Sequence, residues 1–210
     1  MSDSEPHLPA ADALASACRA LAAAEPVFAH LIDRNGVPPL WRREASYATI
    51  VRLVLEQQVS LASATAAYAR LIRRVGDVTP EAILSSTDAQ LRADGFSRQK
   101  AGYVRDIARA VVDGSFDPVA VAGDRVGAMS ALLALRGVGP WTAACYLLFA
   151  LRRPDIWPPG DRALEVSIDR VYRRPGDASS RPADEMALAW RPVRAVAARL
   201  LWHEYLGGRG

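Results

Sequence analysis

Asp161 follows Pro158-Pro159-Gly160, a stiff lead-in that hands over to a helical pattern, so its carboxylate is presented where a loop becomes a helix. Twenty residues before it stands Trp141, within Leu135-Arg136-Gly137-Val138-Gly139-Pro140-Trp141-Thr142-Ala143. This stretch reads as a tight turn between two helices. Leu132, Leu133 and Leu135 close the first helix, Gly137 and Gly139 make the turn, and Pro140 sits where a first helical residue can be proline. Two glycines around one apolar residue leave the backbone bare, so amides can approach a phosphate and carbonyls a cation. A phosphate-gripping hairpin with one presented carboxylate implies a protein that holds nucleic acid and does chemistry on it.

The elements that must position these groups are helical. Tyr47, Ile50, Val51, Val54 and Leu55 form one apolar stripe; Ala64, Ala67, Tyr68, Leu71, Ile72 and Val75 form another, closed by Gly76. Ser60 is the expected N-cap of the second. Thr79-Pro80 opens a short helix, and Thr87-Asp88-Ala89-Gln90 has capping-box spacing with Gly95 as its stop. Ser97 caps a helix striped by Ala101, Val104, Ile107, Ala108 and Val111, and Asp117-Pro118 opens a further turn. Asp12 to Ala24 is an alanine-rich helix, Asn35-Gly36-Val37-Pro38-Pro39 a loop, and Ser179-Ser180-Arg181-Pro182 a break before a last helix over Pro192 to Leu206. No alternating segment asks for a strand, so the expected class is all-α, with about ten helices.

The 210 residues, 50% hydrophobic, suffice for one good core or two small helical lobes. A formal charge of +3 and a pI near 9.1 are compatible with DNA without requiring it. Of 26 basic residues, Lys100 is the only lysine. Cys18 and Cys145 are too few for a disulfide framework. No apolar run reaches transmembrane length, and Met1-Ser2-Asp3-Ser4-Glu5 lacks the basic opening of a signal peptide, so a soluble cytoplasmic protein is expected, with no membrane partner.

The hairpin and the Gly160-Asp161 loop occur together with Ile50-Val51-Arg52-Leu53-Val54-Leu55-Glu56-Gln57-Gln58-Val59-Ser60 and Gly95-Phe96-Ser97-Arg98-Gln99-Lys100-Ala101. In this order and spacing they resemble the helix-hairpin-helix DNA glycosylases of the 3-methyladenine type, from Tyr47 to Tyr205. The resemblance implies a two-lobed all-α fold with its active site in the cleft between lobes. Residues 1–45 are then an N-terminal helix and loop of the terminal lobe, 46–120 a central lobe, and 121–210 the hairpin and catalytic part of the terminal lobe. It also implies a monomeric bacterial enzyme of the nucleoid, acting on double-stranded DNA that contains alkylated bases. The reaction is hydrolysis of the N-glycosidic bond of alkylated purines, 3-methyladenine first and 7-methylguanine as a further candidate. No cofactor serves the chemistry, and the four-cysteine iron–sulfur cluster of the endonuclease III branch is absent.

The same resemblance assigns the residues. Asp161 is the catalytic carboxylate: bond cleavage gives the sugar oxocarbenium character, and a carboxylate beside the anomeric carbon stabilises that charge. Glu165 and Asp169, further along its helix, are expected to face solvent or pair with arginine. Trp141 stands where bifunctional relatives carry a Schiff-base lysine, so base removal without strand cleavage is expected. Trp141 and Trp202 are pocket rings that stack on a cationic alkylated base, against the alternative of ordinary helix packing. Cys145 lines the pocket where a relative has tyrosine, with Tyr146 next; Trp157 is open between pocket and packing. Gln58 is the wedge that fills the space of a flipped base, against the alternative of a buried turn. The carbonyls of Leu133, Leu135 and Val138 are expected to hold Na+ or K+, while amides near Gly137, Gly139 and Thr142 donate to phosphate. Arg42, Arg43, Arg73, Arg74, Arg98, Arg152 and Arg153 are candidate phosphate contacts; His7, His30 and His203 have no metal spacing. Two other functions stay open: a helix-hairpin-helix DNA-binding protein without catalysis, and a glycosylase for uracil, mismatched thymine or oxidised purine.

Overall fold

The computed structural model describes residues 11–124, 126–172 and 182–207, and every regular element among them is helical. His7 and Ser179-Ser180-Arg181 of the expected break lie outside these residues. The chain begins with α1 (Ala11–Ala24) and α2 (Pro26–Asn35), followed by α3 (Tyr47–Glu56), α4 (Leu61–Val75), α5 (Pro80–Leu84), α6 (Asp88–Asp94) and α7 (Arg98–Val112). Then come α8 (Ala120–Gly123), α9 (Ala128–Leu133) and α10 (Pro140–Phe149). The rest is α11 (Arg162–Tyr172), α12 (Ala183–Met186), a 3-10 turn over Ala187–Trp190, and α13 (Arg194–Tyr205). The helices beyond the expected ten include α8 and α12, single turns too short to show a 3.6-residue stripe. Helix α2, for which no expectation was stated, begins at Pro26 and stops at Gly36, where Gly36 N donates to Ile32 O at 2.8 Å.

Contacts divide the chain into two units, Arg43–Tyr146, and Met1–Arg42 with Leu147–Gly210. The unit Arg43–Tyr146 owes its helix starts to side-chain caps. Ser46, Ser60, Thr79, Thr87 and Ser97 each accept from a backbone N–H three residues on, at 3.2 to 3.3 Å. Each such cap is worth about 1 kcal/mol. The Thr87 box is reciprocal, with Thr87 N donating to Gln90 Oε1 at 2.8 Å. Leu53, Val54, Leu71, Ile83, Leu91 and Val104 are buried without remainder. The Tyr47 hydroxyl donates to Val104 O at 2.8 Å. Ile72, expected on the buried stripe of α4, is 43% exposed; Ala64, Ala67 and Leu71 alone form the buried line, a narrower face.

The hairpin belongs with Arg43–Tyr146 rather than with the C-terminal segment, so the expected boundaries at 45 and 120 fall instead after Arg42 and Tyr146. The physical reason is a set of bonds reaching back from the hairpin region. Gln57 Nε2 donates to Gly137 O and Thr142 Oγ1, Arg136 pairs with Asp106 at 2.5 Å, and the Tyr146 hydroxyl donates to Pro118 O at 3.1 Å.

The other unit packs α1, α2, α11 and α13 around Leu14, Cys18, Phe28, Leu31, Leu148, Ile168 and Leu201. Trp190 sits edge-on to Phe28 at 5.3 Å and to Trp157 at 5.5 Å. Trp157 is therefore a packing residue, 9% exposed, with its indole N–H on Asp184 Oδ1 at 2.9 Å. Helix α13 also buries Arg199 entirely; its guanidinium donates to Leu40 O and Leu148 O, and burial pulls its pKa down to about 10.

Candidate active site and nucleic-acid interface

Asp161 lies at the N-terminus of α11, after Gly160 in a left-handed conformation (φ 65°) that a side chain at that position would oppose. Its Oδ1 accepts from Leu164 N at 2.9 Å, which makes it the helix cap, and from Trp202 Nε1 at 3.1 Å. One carboxylate oxygen is thus oriented by a helix from one side and an indole from the other. The positive end of the helix dipole faces the negative charge. Asp161 is 9% exposed, a charge held in protein rather than in open water.

Trp202 is half-buried and stacks on Phe149 (5.3 Å between centroids, 21° between planes). The Arg199 guanidinium lies 5.4 Å from the Phe149 ring centre, on the same aromatic. Phe149 and Arg199 had no signal in the sequence beyond their apolar and basic types, because their pairing joins residues fifty positions apart. Glu165 accepts from Arg162 at 3.1 Å, the arginine pairing expected of it.

Within Arg43–Tyr146, the hairpin runs from α9 through Leu135 to Gly139 into α10. Val138 N donates to Leu135 O at 3.1 Å, and the Val138 side chain is buried, pinning the turn from inside. The two glycines do different work. Gly137 is left-handed (φ 86°), and a Cβ there would run into the Tyr103 ring, so the protein itself excludes a side chain. A Cβ on Gly139 would meet nothing within 4 Å, which leaves that face of the turn open. Arg136 lies over the same Tyr103 ring at 5.6 Å.

Trp141, second residue of α10, is half-buried, whereas Cys145 is 1% exposed and Tyr146 fully buried. The Thr142 side chain is buried and accepts from Gln57, so any contact of Thr142 with phosphate falls to its backbone. Gln58 is exposed with φ 55°, a left-handed conformation unusual for a residue with a side chain. Val59 and Leu61 beside it are 47% and 52% exposed. The alternative of a buried turn therefore fails for Gln58. Of the candidate arginines, Arg43 is committed to Glu56 through two bonds of 3.0 and 2.7 Å, Arg74 to Asp94 and Ser86, and Arg153 is buried. Arg42, Arg73 and Arg98 are exposed. No cluster of three metal-binding side chains occurs among the described residues. The cation expected at the hairpin would use neutral carbonyls instead. Leu133 ends α9, where carbonyls lack helical partners, and Leu135 O keeps a second lone pair beside the Val138 bond.

The helical architecture, hairpin and capped carboxylate define a class. The sequence pattern of the HhH-GPD superfamily of base excision DNA repair proteins matches residues 51–195, and the chain belongs to that superfamily. Among relatives, it is similar to DNA-3-methyladenine glycosylase 1 of Schizosaccharomyces pombe, 28% identical over 166 residues, covering 76% of this chain and 72% of that protein. DNA-3-methyladenine glycosylase 2 of Escherichia coli is 28% identical over 166 residues, 73% of this chain and 55% of that one. The Bacillus subtilis protein YfjP is 27% identical over 186 residues, and this chain spans 63% of its length. In fold, the chain matches the S. pombe 3-methyladenine DNA glycosylase solved with abasic DNA at TM-score 0.80 and 24% identity, over 93% of this chain and 99% of that one.

Proposed function

We propose that this chain is a monofunctional DNA glycosylase that rotates alkylated purines out of double-stranded DNA and hydrolyses their N-glycosidic bond. Its first substrate is 3-methyladenine and its second 7-methylguanine; it acts as a monomer in the cytoplasm, at the nucleoid. The observation that carries this reading is the Asp161 carboxylate, held by Leu164 N and Trp202 Nε1 in a member of a base excision repair superfamily.

The chemistry follows from that arrangement. As the bond to the base breaks, positive charge develops on the sugar, and a carboxylate already oriented needs no reorganisation to stabilise it. A base methylated at N3 or N7 carries positive charge and is already a good leaving group, so it needs a ring to stack on more than an acid to protonate it. Trp202, one face stacked on Phe149, and Trp141 are the rings assigned that role. Gln58, exposed and left-handed, fills the space the base leaves. The hairpin holds the backbone through the amides near Gly139, with Leu133, Leu135 and Val138 carbonyls as the seat of Na+ or K+. Those three neutral carbonyls would hold such a cation, and it would supply positive charge for phosphate binding.

No amine is available for strand cleavage at Trp141, and the Lys100 ammonium is committed to the carbonyls of Leu55 and Gln57 at 2.8 Å each. Release of methylated base from alkylated duplex tests the reading. The strand is expected to stay intact until alkali is added, and borohydride to trap no covalent complex. Well-folded protein that releases nothing from any alkylated duplex would overturn it.

A further inference from the structure

Gln57 stands directly before Gln58 and is assigned no task by the proposed chemistry. Its side-chain nitrogen has two hydrogens, and both are used: it donates to Gly137 O at 2.9 Å and to Thr142 Oγ1 at 2.9 Å. These acceptors lie on the two sides of the hairpin turn, one before Val138 and one in the first turn of α10. The main chain of Gln57 is held as well. Lys100, the sole lysine, donates from Nζ to Leu55 O and Gln57 O, and its partial burial pulls its pKa below the usual lysine value. Beyond Gln58 and Val59 the chain is pinned again, where Ser60 caps α4. The strained Gln58 therefore projects from a turn fixed on both sides, and the nearer anchor is tied directly to the hairpin.

We infer that Gln57 is a positioning residue that couples the Gln58 turn to the phosphate-binding hairpin, so that grip on the backbone and insertion into the base stack occur as one rigid movement. The roles of grip and insertion rest on the proposed function; the coupling rests on the hydrogen bonds alone. The chemistry of the partners explains the residue type. Gly137 O is an acceptor only, so glutamate at this position cannot replace the amide, and asparagine is one methylene too short to span both acceptors.

The test pairs a measurement without DNA with one that uses it. Amide hydrogen exchange is followed in wild type, Gln57→Ala, Gln57→Glu, Thr142→Val and Thr142→Ser. Gln57→Ala and Gln57→Glu are expected to speed exchange across 137–143, Thr142→Val to speed it across 57–60, and Thr142→Ser to leave both as in wild type. Single-turnover excision from a duplex carrying one 7-methylguanine should fall about tenfold in Gln57→Ala, the scale of two lost net hydrogen bonds. Emission of 2-aminopurine placed beside an abasic analogue should fall with it. Affinity for undamaged duplex should stay within about twofold, since the hairpin amides themselves are retained. A merely structural Gln57 would lower melting temperature while leaving the rate at saturating enzyme unchanged. Hairpin exchange unchanged in Gln57→Ala, or full excision and full emission in that variant, overturns the coupling. Reciprocal exchange changes in a protein whose wild type excises nothing would sink the glycosylase reading and leave the coupling standing.

Discussion

At the scale of single residues, Asp161 caps α11 and, in the function proposed, stabilises the charge developing on the sugar, and substitution can separate the two. Asparagine is as good an N-cap as aspartate, and its side-chain oxygen can still accept from Leu164 N and Trp202 Nε1. Asp161→Asn is therefore expected to fold with wild-type stability. Its excision rate should fall by at least about two to three powers of ten, the effect of losing one preorganised charge. Lesion DNA should bind as tightly or more tightly, because a carboxylate repels phosphate in the ground state and helps only as charge develops on the sugar. Lost affinity with an unchanged single-turnover rate would mean the central residue is misassigned. Trp202→Phe isolates the indole N–H: the ring on Phe149 stays, and the donor to Asp161 goes. Excision is expected to slow by about tenfold, the scale of one charge-assisted hydrogen bond. A rate equal to wild type would show that Asp161 is oriented by its helix alone.

At the scale of elements, the hairpin's two glycines look equivalent in sequence and differ in structure. Gly137→Ala places a methyl against Tyr103 on a left-handed residue, so the damage is internal. A loss of about 1 to 3 kcal/mol in stability is expected, seen as a lower melting temperature, with DNA affinity falling as a consequence. Gly139→Ala meets no protein atom, so its melting temperature should match wild type while lesion and undamaged DNA both bind more weakly. Equal binding by Gly139→Ala and wild type would remove that face from the DNA contact.

At the scale of the whole molecule, buried titrating groups make stability depend on pH. Burial pushes the Cys18 thiol from 9.0 to about 11. Between these values the unfolded chain releases the thiol proton and the native one keeps it, so native stability falls as pH rises. Buried Tyr47 and Tyr146, both raised, add to the decline at higher pH, whereas Arg199, lowered to about 10, opposes it there. The cleanest window is pH 9 to 10. Denaturant titrations across it should show a stability loss that is larger in wild type than in Cys18→Ala by on the order of 1 kcal/mol, the tyrosines' share remaining in both. An identical slope in both proteins would place the alkaline sensitivity elsewhere.

Local pattern was enough to read the helices from Tyr47 to Val112: apolar spacing set their faces, and Ser60, Thr87 and Ser97 set their starts through bonds only three residues long. The hairpin and the helix-capping position of Asp161 were legible for the same reason, since glycine, proline and the cap act within a few residues. The packing role of Trp157, the exposure of Ile72 and the unlike duties of Gly137 and Gly139 were not legible. Each depends on what lies across the fold: Asp184 and Trp190 beside Trp157, Tyr103 beneath Gly137. The grouping of the hairpin with Arg43–Tyr146 is not legible either, because it hangs on Gln57, eighty residues from Gly137. Composition and periodicity carry the short-range terms, whereas such long-range partners exist only once the chain has folded.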